Sequence, residues 1–353
     1  MNIGMISLYL PSQDKSGAGY QAHYMGDAMV RAGHCVTMFS PARRPVDALY
    51  EHVQVGTGES MRTFRFAWNL RKVDWSEFDV VHAHGDDYWL WWPAGGEAVH
   101  VRTMHGSCLA EALHVPGMKE KVRMAALGVS EVLATGVADR TVCVSQNTRR
   151  YYPWVNDVIM NGVDTSAFHP SAEKEVVPTI LFVGTYQNRK RGKLLMEAFA
   201  EKIQPAIPTA QLWMVCSDAP AAPGVKVFGS VDLKTLAELY RRAWVFCLPS
   251  SYEGFGVPYI EALASGTPVV ATPNVGALEV LGHGKYGMIV EPEKLGGAIL
   301  GLLQDAARRE DMRALGLKRS KMFAWESIVK QYEQVYTELM RQRPRKARTA
   351  SAS

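Results

Sequence analysis

At 353 residues the chain is too long for one ordinary domain and comfortable as two, each able to bury its own core. Its composition, 47% hydrophobic and 21% charged, is that of a globular protein, and a net charge of +4 gives no sign of the basic concentration a nucleic-acid surface needs. No apolar run approaches the roughly 18–20 residues of a membrane span. The opening MNIGMISLYLPSQ lacks a basic flank and breaks at Pro11, so it reads as a first strand rather than a leader. The protein is expected to be cytoplasmic. The five cysteines (Cys35, Cys108, Cys143, Cys216, Cys247) are widely spaced and form no C-x-x-C pair, as expected of small hydrophobes in a reducing compartment.

Short apolar runs alternate with helix-period stretches, the pattern of parallel sheets covered by helices. In the first half the strand candidates are Ile3–Leu8, Cys35–Phe39, Val80–His84, Val99–Met104, Arg140–Val144 and Asp157–Met160, with helices over Tyr20–Ala32 and Lys119–Gly136. In the second half the strands are Thr179–Val183, Gln211–Val215, Val225–Phe228, Trp244–Leu248, Pro268–Ala271 and Met288–Val290. Helices are expected over Lys193–Ile203, Leu233–Arg242, Val257–Ser265, Leu295–Asp305 and Glu326–Arg341. Two successive α/β series imply two doubly wound domains with a cleft between them. The polar, aperiodic stretch Thr165–Val177 marks the boundary, giving an N-terminal domain over 1–168 and a C-terminal one over 169–325. The helix at about 326–341 is a candidate to pack back on the first domain, and the basic tail 342–353 is expected to be disordered.

The strongest chemical signal runs from Ser250 to Thr272, SSYEGFGVPYIEALASGTPVVAT. An apolar strand ends at Leu248, a glycine-rich loop follows, and a helix opens near Val257 with Pro258 in its first turn. Such a junction aims backbone N–H groups and a helix N-terminus beyond the sheet, which is an anion site. Gly254 and Gly256 let a ligand approach the backbone. Glu253 and Glu261 can accept hydrogen bonds from vicinal hydroxyls of two different sugars. A second junction, TILFVGTYQNRKRGKLLMEAF from Thr179, places Arg189, Lys190 and Arg191 just before a helix, where clustered cations suit a diphosphate.

The segment Glu253 to Glu261, E-G-F-G-V-P-Y-I-E, resembles the E-x7-E element of family 4 retaining glycosyltransferases with the two-domain GT-B fold. The resemblance implies two Rossmann-like domains facing a cleft, and transfer of a sugar from a nucleotide diphosphate sugar to an acceptor hydroxyl. It puts Glu253 by the donor sugar and Glu261 on the nucleotide ribose, with the backbone of Gly254, Phe255, Gly256 and Val257 facing the sugar or diphosphate. The Arg189–Arg191 loop is similar to the family's phosphate-binding loop, except that Thr185 stands where an arginine usually follows the glycine. Arg189 then substitutes, with Lys190 as second cation and Arg191 as the alternative.

Ser16-Gly17-Ala18-Gly19 followed by Gly33-His34 resembles the family's glycine loop, placing donor or acceptor contacts at Gly17 and Gly19. His105, in Thr103-Met104-His105-Gly106, matches a histidine the family keeps near the reacting sugar. Asn161-Gly162-Val163-Asp164 matches a structural segment ahead of the linker, and Glu279 lies in a later donor-side loop. No metal and no cofactor beyond the nucleotide-sugar co-substrate is implied. The acceptor is a small molecule, a lipid-linked sugar or a glycan.

His82 and His84, with Asp86 and Asp87 following, have a metal-compatible spacing but read better as strand-end residues. The aromatic run Tyr88–Trp92 suits packing or sugar stacking. Three rival functions remain. An NADP-dependent oxidoreductase would use Gly17-Ala18-Gly19-Tyr20-Gln21-Ala22, which lies nine residues past Leu8, too far for a dinucleotide turn. An inverting transferase or nucleotide-sugar epimerase would use His23 as base. A non-catalytic sugar or nucleotide binder would bind donor without turnover.

Overall fold

The computed structural model describes residues 1–11, 17–58, 61–85, 87–88, 98–112, 115 and 117–342. Ser16, Asp86, residues 89–92 of the aromatic run and the tail from 343 lie outside these. The chain divides into two compact units, residues 1–162 with 325–353, and residues 163–324.

The N-terminal unit is built on seven parallel strands: β1 (Asn2–Ile6), β2 (Cys35–Ser40), β3 (Glu51–Gln54), β4 (Val80–Ala83), β5 (Val99–Met104), β6 (Arg140–Cys143) and β7 (Asp157–Val158). Their order across the sheet is β3-β2-β1-β4-β5-β6-β7. The central strands β4 and β5 are buried along their whole length, polar residues such as His82, His100 and Arg102 included, whereas the edge strand β3 is mostly exposed. On one face Ile3, Met5, Val36, Met38, Val80, Val99 and Val101 pack with the helix Gly17–Arg31 and the C-terminal helix Trp325–Gln342. That last helix buries Ile328, Val329, Tyr332, Val335, Tyr336 and Leu339, an apolar stripe with steps of three and four. His34 Nε2 lies 2.8 Å from Glu333 Oε1, a polar tie between this helix and the start of β2. The opposite face packs Ile6, Leu8, Phe39, Phe66, Leu70, Trp75 and Val81.

The C-terminal unit repeats the plan with β8 (Thr179–Val183), β9 (Gln211–Val215), β10 (Val225–Val227), β11 (Val245–Leu248), β12 (Val269–Ala271) and β13 (Met288–Ile289), all parallel. Their order is β10-β9-β8-β11-β12-β13. Ile180, Leu181, Phe182, Val245, Phe246 and Leu248 are fully buried at its centre. Asp232 caps the helix Leu233–Arg242 by accepting from the Thr235 amide, and Asn274 caps Val275–Val280 by accepting from the Ala277 amide.

Counted within each unit, both sheets share the order 3-2-1-4-5-6 of doubly wound dinucleotide-type folds. In such sheets the loops after the first and fourth strands diverge at the point where the winding reverses, and ligands bind there. In the C-terminal unit these are the loops after β8 and β11, the two that carry the basic and glutamate motifs.

Candidate active site

The loop after β8 runs through Gly184–Lys190 into the helix Gly192–Ala198, and the loop after β11 runs through Ser250–Gly256 into the helix Val257–Ala264. Their adjacency follows from the pairing of β8 with β11. The Ser251 amide donates to the Arg189 carbonyl at 2.8 Å, so the two loops are joined through their backbones. Their side chains meet as well. Glu253 Oε1 accepts from Arg189 Nη1 at 3.0 Å and from Lys190 Nζ at 2.8 Å, and Arg189 also donates to the Tyr252 carbonyl at 2.9 Å. Glu253 and Lys190 are largely buried, whereas Arg189 is 53% exposed at its side chain. Burial lowers the Lys190 ammonium from its ordinary range, with Glu253 opposing that shift. Arg191 takes the left-handed conformation, φ 54°, and ends this basic turn.

The glycine loop supplies an N-terminus with no side-chain cap. Gly256 sits at φ +96°, and a Cβ there would lie 2.4 Å from the Tyr259 ring, so only glycine fits. Gly254 borders open space. Phe255 is buried, with its ring edge-on to that of Phe323 at 6.0 Å. The helix Val275–Val280 supports the loop from behind. The Gly276 amide donates to the Glu253 carbonyl at 3.1 Å, and Asn274 donates to the Ser250 and Thr272 carbonyls. A Cβ on Gly276 would fall 2.5 Å from the Phe255 carbonyl oxygen.

One helical face further, Glu261 Oε2 accepts from the Tyr240 hydroxyl at 2.9 Å. Desolvation pushes the Glu261 carboxyl up to about 7, against the Tyr240 hydrogen bond and the field of Lys190, which pull it down. The residue as a whole is half-buried, and its carboxyl is poorly solvated. Glu279 lies on Val275–Val280 and is half-buried, its carbonyl accepting from Arg319.

The C-terminal unit thus brings Arg189, Lys190 and Glu253 into direct contact, with Arg191, Gly254, Phe255, Gly256, Val257 and Glu261 on the same two loop–helix junctions. Gly17, Gly19 and His105 belong to the N-terminal unit. Gly19 lies in the first turn of the helix Gly17–Arg31, where a Cβ would lie 2.8 Å from the Tyr9 carbonyl oxygen; Gly17 borders open space.

His105 follows β5 and, itself half-buried, joins a row of imidazoles with the buried His82 and His84. His84 Nδ1 and His105 Nε2 are 2.9 Å apart, with rings stacked at 5.2 Å, and His84 stacks on His82 at 4.6 Å. His82 is held by Tyr336 at Nδ1 and by Thr103 at Nε2. Burial lowers all three, His82 to about 3 and His105 to about 4, so the row is neutral across the physiological range. His82 and His84 therefore serve packing and hydrogen bonding, and Asp87 pairs with His100 and Arg102. Among the described residues no group of three His, Cys, Asp or Glu could hold a metal ion. His23 is buried against Tyr50, 2.9 Å from its hydroxyl, where it ties the segment before β3 to the first helix.

Sequence reasoning missed Tyr240, which reads as one more apolar-face residue of its helix, and His84, read as an ordinary strand-end residue, which proves to be the partner of His105. No pattern in one sequence flags the first.

Residues 15–167 match the family described as Glycosyltransferase Family 4, and residues 177–305 match Glycosyl transferases group 1. The chain belongs to family 4 of the glycosyltransferases. It is 27% identical to the phosphatidyl-myo-inositol mannosyltransferase of Mycobacterium tuberculosis, over 95% of this chain and 96% of that protein. Among solved structures it resembles the sucrose-phosphate synthase of Thermosynechococcus elongatus, with TM-score 0.78, 24% identity and coverage of 97% and 99%. It also resembles Anabaena HepE in complex with UDP-glucose, with TM-score 0.74, 16% identity and coverage of 96% and 100%. The fold of this glycosyltransferase is accordingly GT-B. No helix among its described residues is long and apolar enough to cross a membrane.

Proposed function

We propose that the protein is a retaining glycosyltransferase that works without a divalent metal, taking a sugar from a nucleotide diphosphate sugar to an acceptor hydroxyl. The observation that carries the reading is the joining of Arg189 and Lys190 to Glu253 beside an uncapped helix N-terminus. As the bond from the anomeric carbon to the β-phosphate oxygen breaks, negative charge collects on the departing nucleoside diphosphate. Arg189, Lys190 and the backbone N–H groups near Val257 would stabilise that charge in the manner of fixed dipoles, which need no reorganisation. The acceptor oxygen forms the new bond from the same face, and its proton passes to the leaving phosphate oxygen.

In this reading Glu253 orients the two cations and meets the donor sugar, Glu261 accepts from the ribose hydroxyls, and Glu279 lies at the donor's edge. Arg191, Gly17 and Gly19 remain candidate donor contacts. His105 is proposed as the neutral imidazole that meets the reacting sugar, a role its burial supports by keeping the ring uncharged. The protein needs no cofactor beyond its co-substrate, and its five free cysteines suit the cytoplasm.

The test is an assay with UDP-glucose, GDP-mannose and ADP-glucose in excess chelator, against a panel that includes phosphatidylinositol because a relative is named for it. Product NMR should show the donor's anomeric configuration, with full turnover in chelator. An inverted product would move the assignment to the rival mechanism, and loss of turnover restored by magnesium would remove the metal-independent role of the cations.

A further inference from the structure

We propose that Tyr240 is a positioning residue for donor binding, whose hydroxyl holds one oxygen of Glu261 and keeps that carboxyl an ionised acceptor for the ribose diol. The inference rests on the reading of Glu261 as the ribose acceptor.

Tyr240 lies in the last turn of the helix Leu233–Arg242 and is fully buried. Its ring is fixed on two sides, edge-on to Phe168 at 5.7 Å and tilted against Phe246 at 5.1 Å. Its main-chain carbonyl accepts from Thr267 Oγ1 at 2.6 Å. The phenol is therefore anchored independently of the carboxylate it touches. Burial and the neighbouring carboxyl raise the phenol far above its ordinary range, so its proton stays on oxygen and the contact is a donated hydrogen bond.

That bond occupies Glu261 Oε2 and leaves Oε1 for a ligand. A carboxylate with one oxygen pinned has a defined direction for the other, and two vicinal hydroxyls read that direction. The bond also opposes the desolvation of Glu261. The charged and titratable groups facing this carboxyl are Tyr240 from the helix beside it and Lys190 from the loop after β8; both favour its ionised form, and burial opposes them. A protonated carboxyl would lose acceptor capacity toward a diol, so donor affinity should follow Glu261 ionisation.

The experiment measures donor affinity by calorimetry from pH 5.5 to 9, with whichever of UDP-glucose, GDP-mannose and ADP-glucose binds the intact protein most tightly. These probes keep both diphosphate charges across that range, so the pH dependence belongs to the protein. For the wild type, affinity should fall on acidification with a midpoint near 7. Tyr240→Phe keeps the ring packing and should move that midpoint up by about one unit, weakening binding at pH 7 several-fold and recovering at pH 9. The KM for donor should rise at pH 7 and return to the wild-type value at pH 9, with kcat little changed at either.

Glu261→Gln separates the two claims. If it weakens binding and flattens the pH profile while Tyr240→Phe leaves the midpoint unmoved, the ribose reading stands and the role of Tyr240 is refuted. If Glu261→Gln binds the donor as the wild type does, the ribose reading falls and the role of Tyr240 with it. Affinity flat across this range in both the wild type and Tyr240→Phe overturns the proposal.

Discussion

The two units wind their strands in the same order and arm the C-terminal ends of their central strands in opposite ways. In the C-terminal unit the loops after β8 and β11 carry a charged cluster, Arg189 and Lys190 on Glu253. In the N-terminal unit the described loops after β4 and β5 carry a row of neutral imidazoles, His84 and His105 stacked behind His82. One topology therefore hosts two electrostatic solutions. Charges that are paired keep their charge under burial, while groups with no counter-charge surrender their protons. The proposed division of labour follows: fixed positive charge for a diphosphate in one unit, uncharged hydrogen-bonding rings in the other.

The largest expected effect breaks the charged cluster. Lys190→Ala should lower kcat by about 10²–10³, the typical loss on removing one transition-state charge stabiliser, with donor affinity changed far less. Steady-state kinetics at saturating acceptor would check it, and an equal loss in affinity with kcat intact would make Lys190 a ground-state contact. Glu261→Ala comes next. It should weaken nucleotide binding about tenfold to a hundredfold, the worth of a charge-assisted hydrogen bond or two.

Gly276→Ala sharpens the comparison without touching a charge. The new methyl meets the Phe255 carbonyl oxygen and must displace the Glu253 loop. Overpacking of this kind costs about 1–3 kcal/mol, measurable as a lower denaturation midpoint, and turnover should fall with it. Full turnover in a destabilised Gly276→Ala protein would mean that the loop position is not what the chemistry uses.

The smallest effect is a difference of sign with pH. His82, His84 and His105 are lowered in the folded state, while in the unfolded chain each binds a proton near its ordinary value of 6.5. Their contribution is present above pH 6.5 and is lost on acidification toward about 4. Glu261 is raised to about 7 from an ordinary 4.5. Its contribution is present below 4.5 and is lost as pH rises through 7. Acidification from pH 7.5 to 5.5 should thus weaken the N-terminal unit and strengthen the C-terminal one, by up to about 1.4 kcal/mol per pH unit for each proton. Hydrogen exchange on the intact chain, corrected for intrinsic rates, reads each unit separately. Parallel trends in both would contradict the assigned protonation states.

Much of this architecture was legible in the sequence, for physical reasons. Strands buried on both faces leave apolar runs, so Thr179–Val183 and Gln211–Val215 were read with their observed bounds, and Val99–Met104 was too although His100 and Arg102 interrupt its apolar residues. The strand Glu51–Gln54 was invisible because it is a mostly exposed edge with a single apolar residue. The helix Ala306–Ser320 was missed because it is charged nearly all round and buries only Gly316 and Ser320. At the site, the loop glycines and the spacing of Glu253 and Glu261 are local and readable. The contact of Glu253 with residues 63 and 64 positions earlier is long-range, and only the pairing of β8 with β11 brings it about. Tyr240 under Glu261 depends likewise on how two helices pack, which no local pattern encodes.

The central claim is that the donor is held at the switch point of the C-terminal unit. Calorimetric titration of the intact protein with UDP, GDP, ADP and dTDP, without added metal, tests it most directly. The account predicts tight binding of one nucleoside diphosphate, weakened at least about tenfold by Glu261→Ala and unaltered by His105→Ala. Undiminished affinity in Glu261→Ala, or binding abolished by His105→Ala alone, would contradict it.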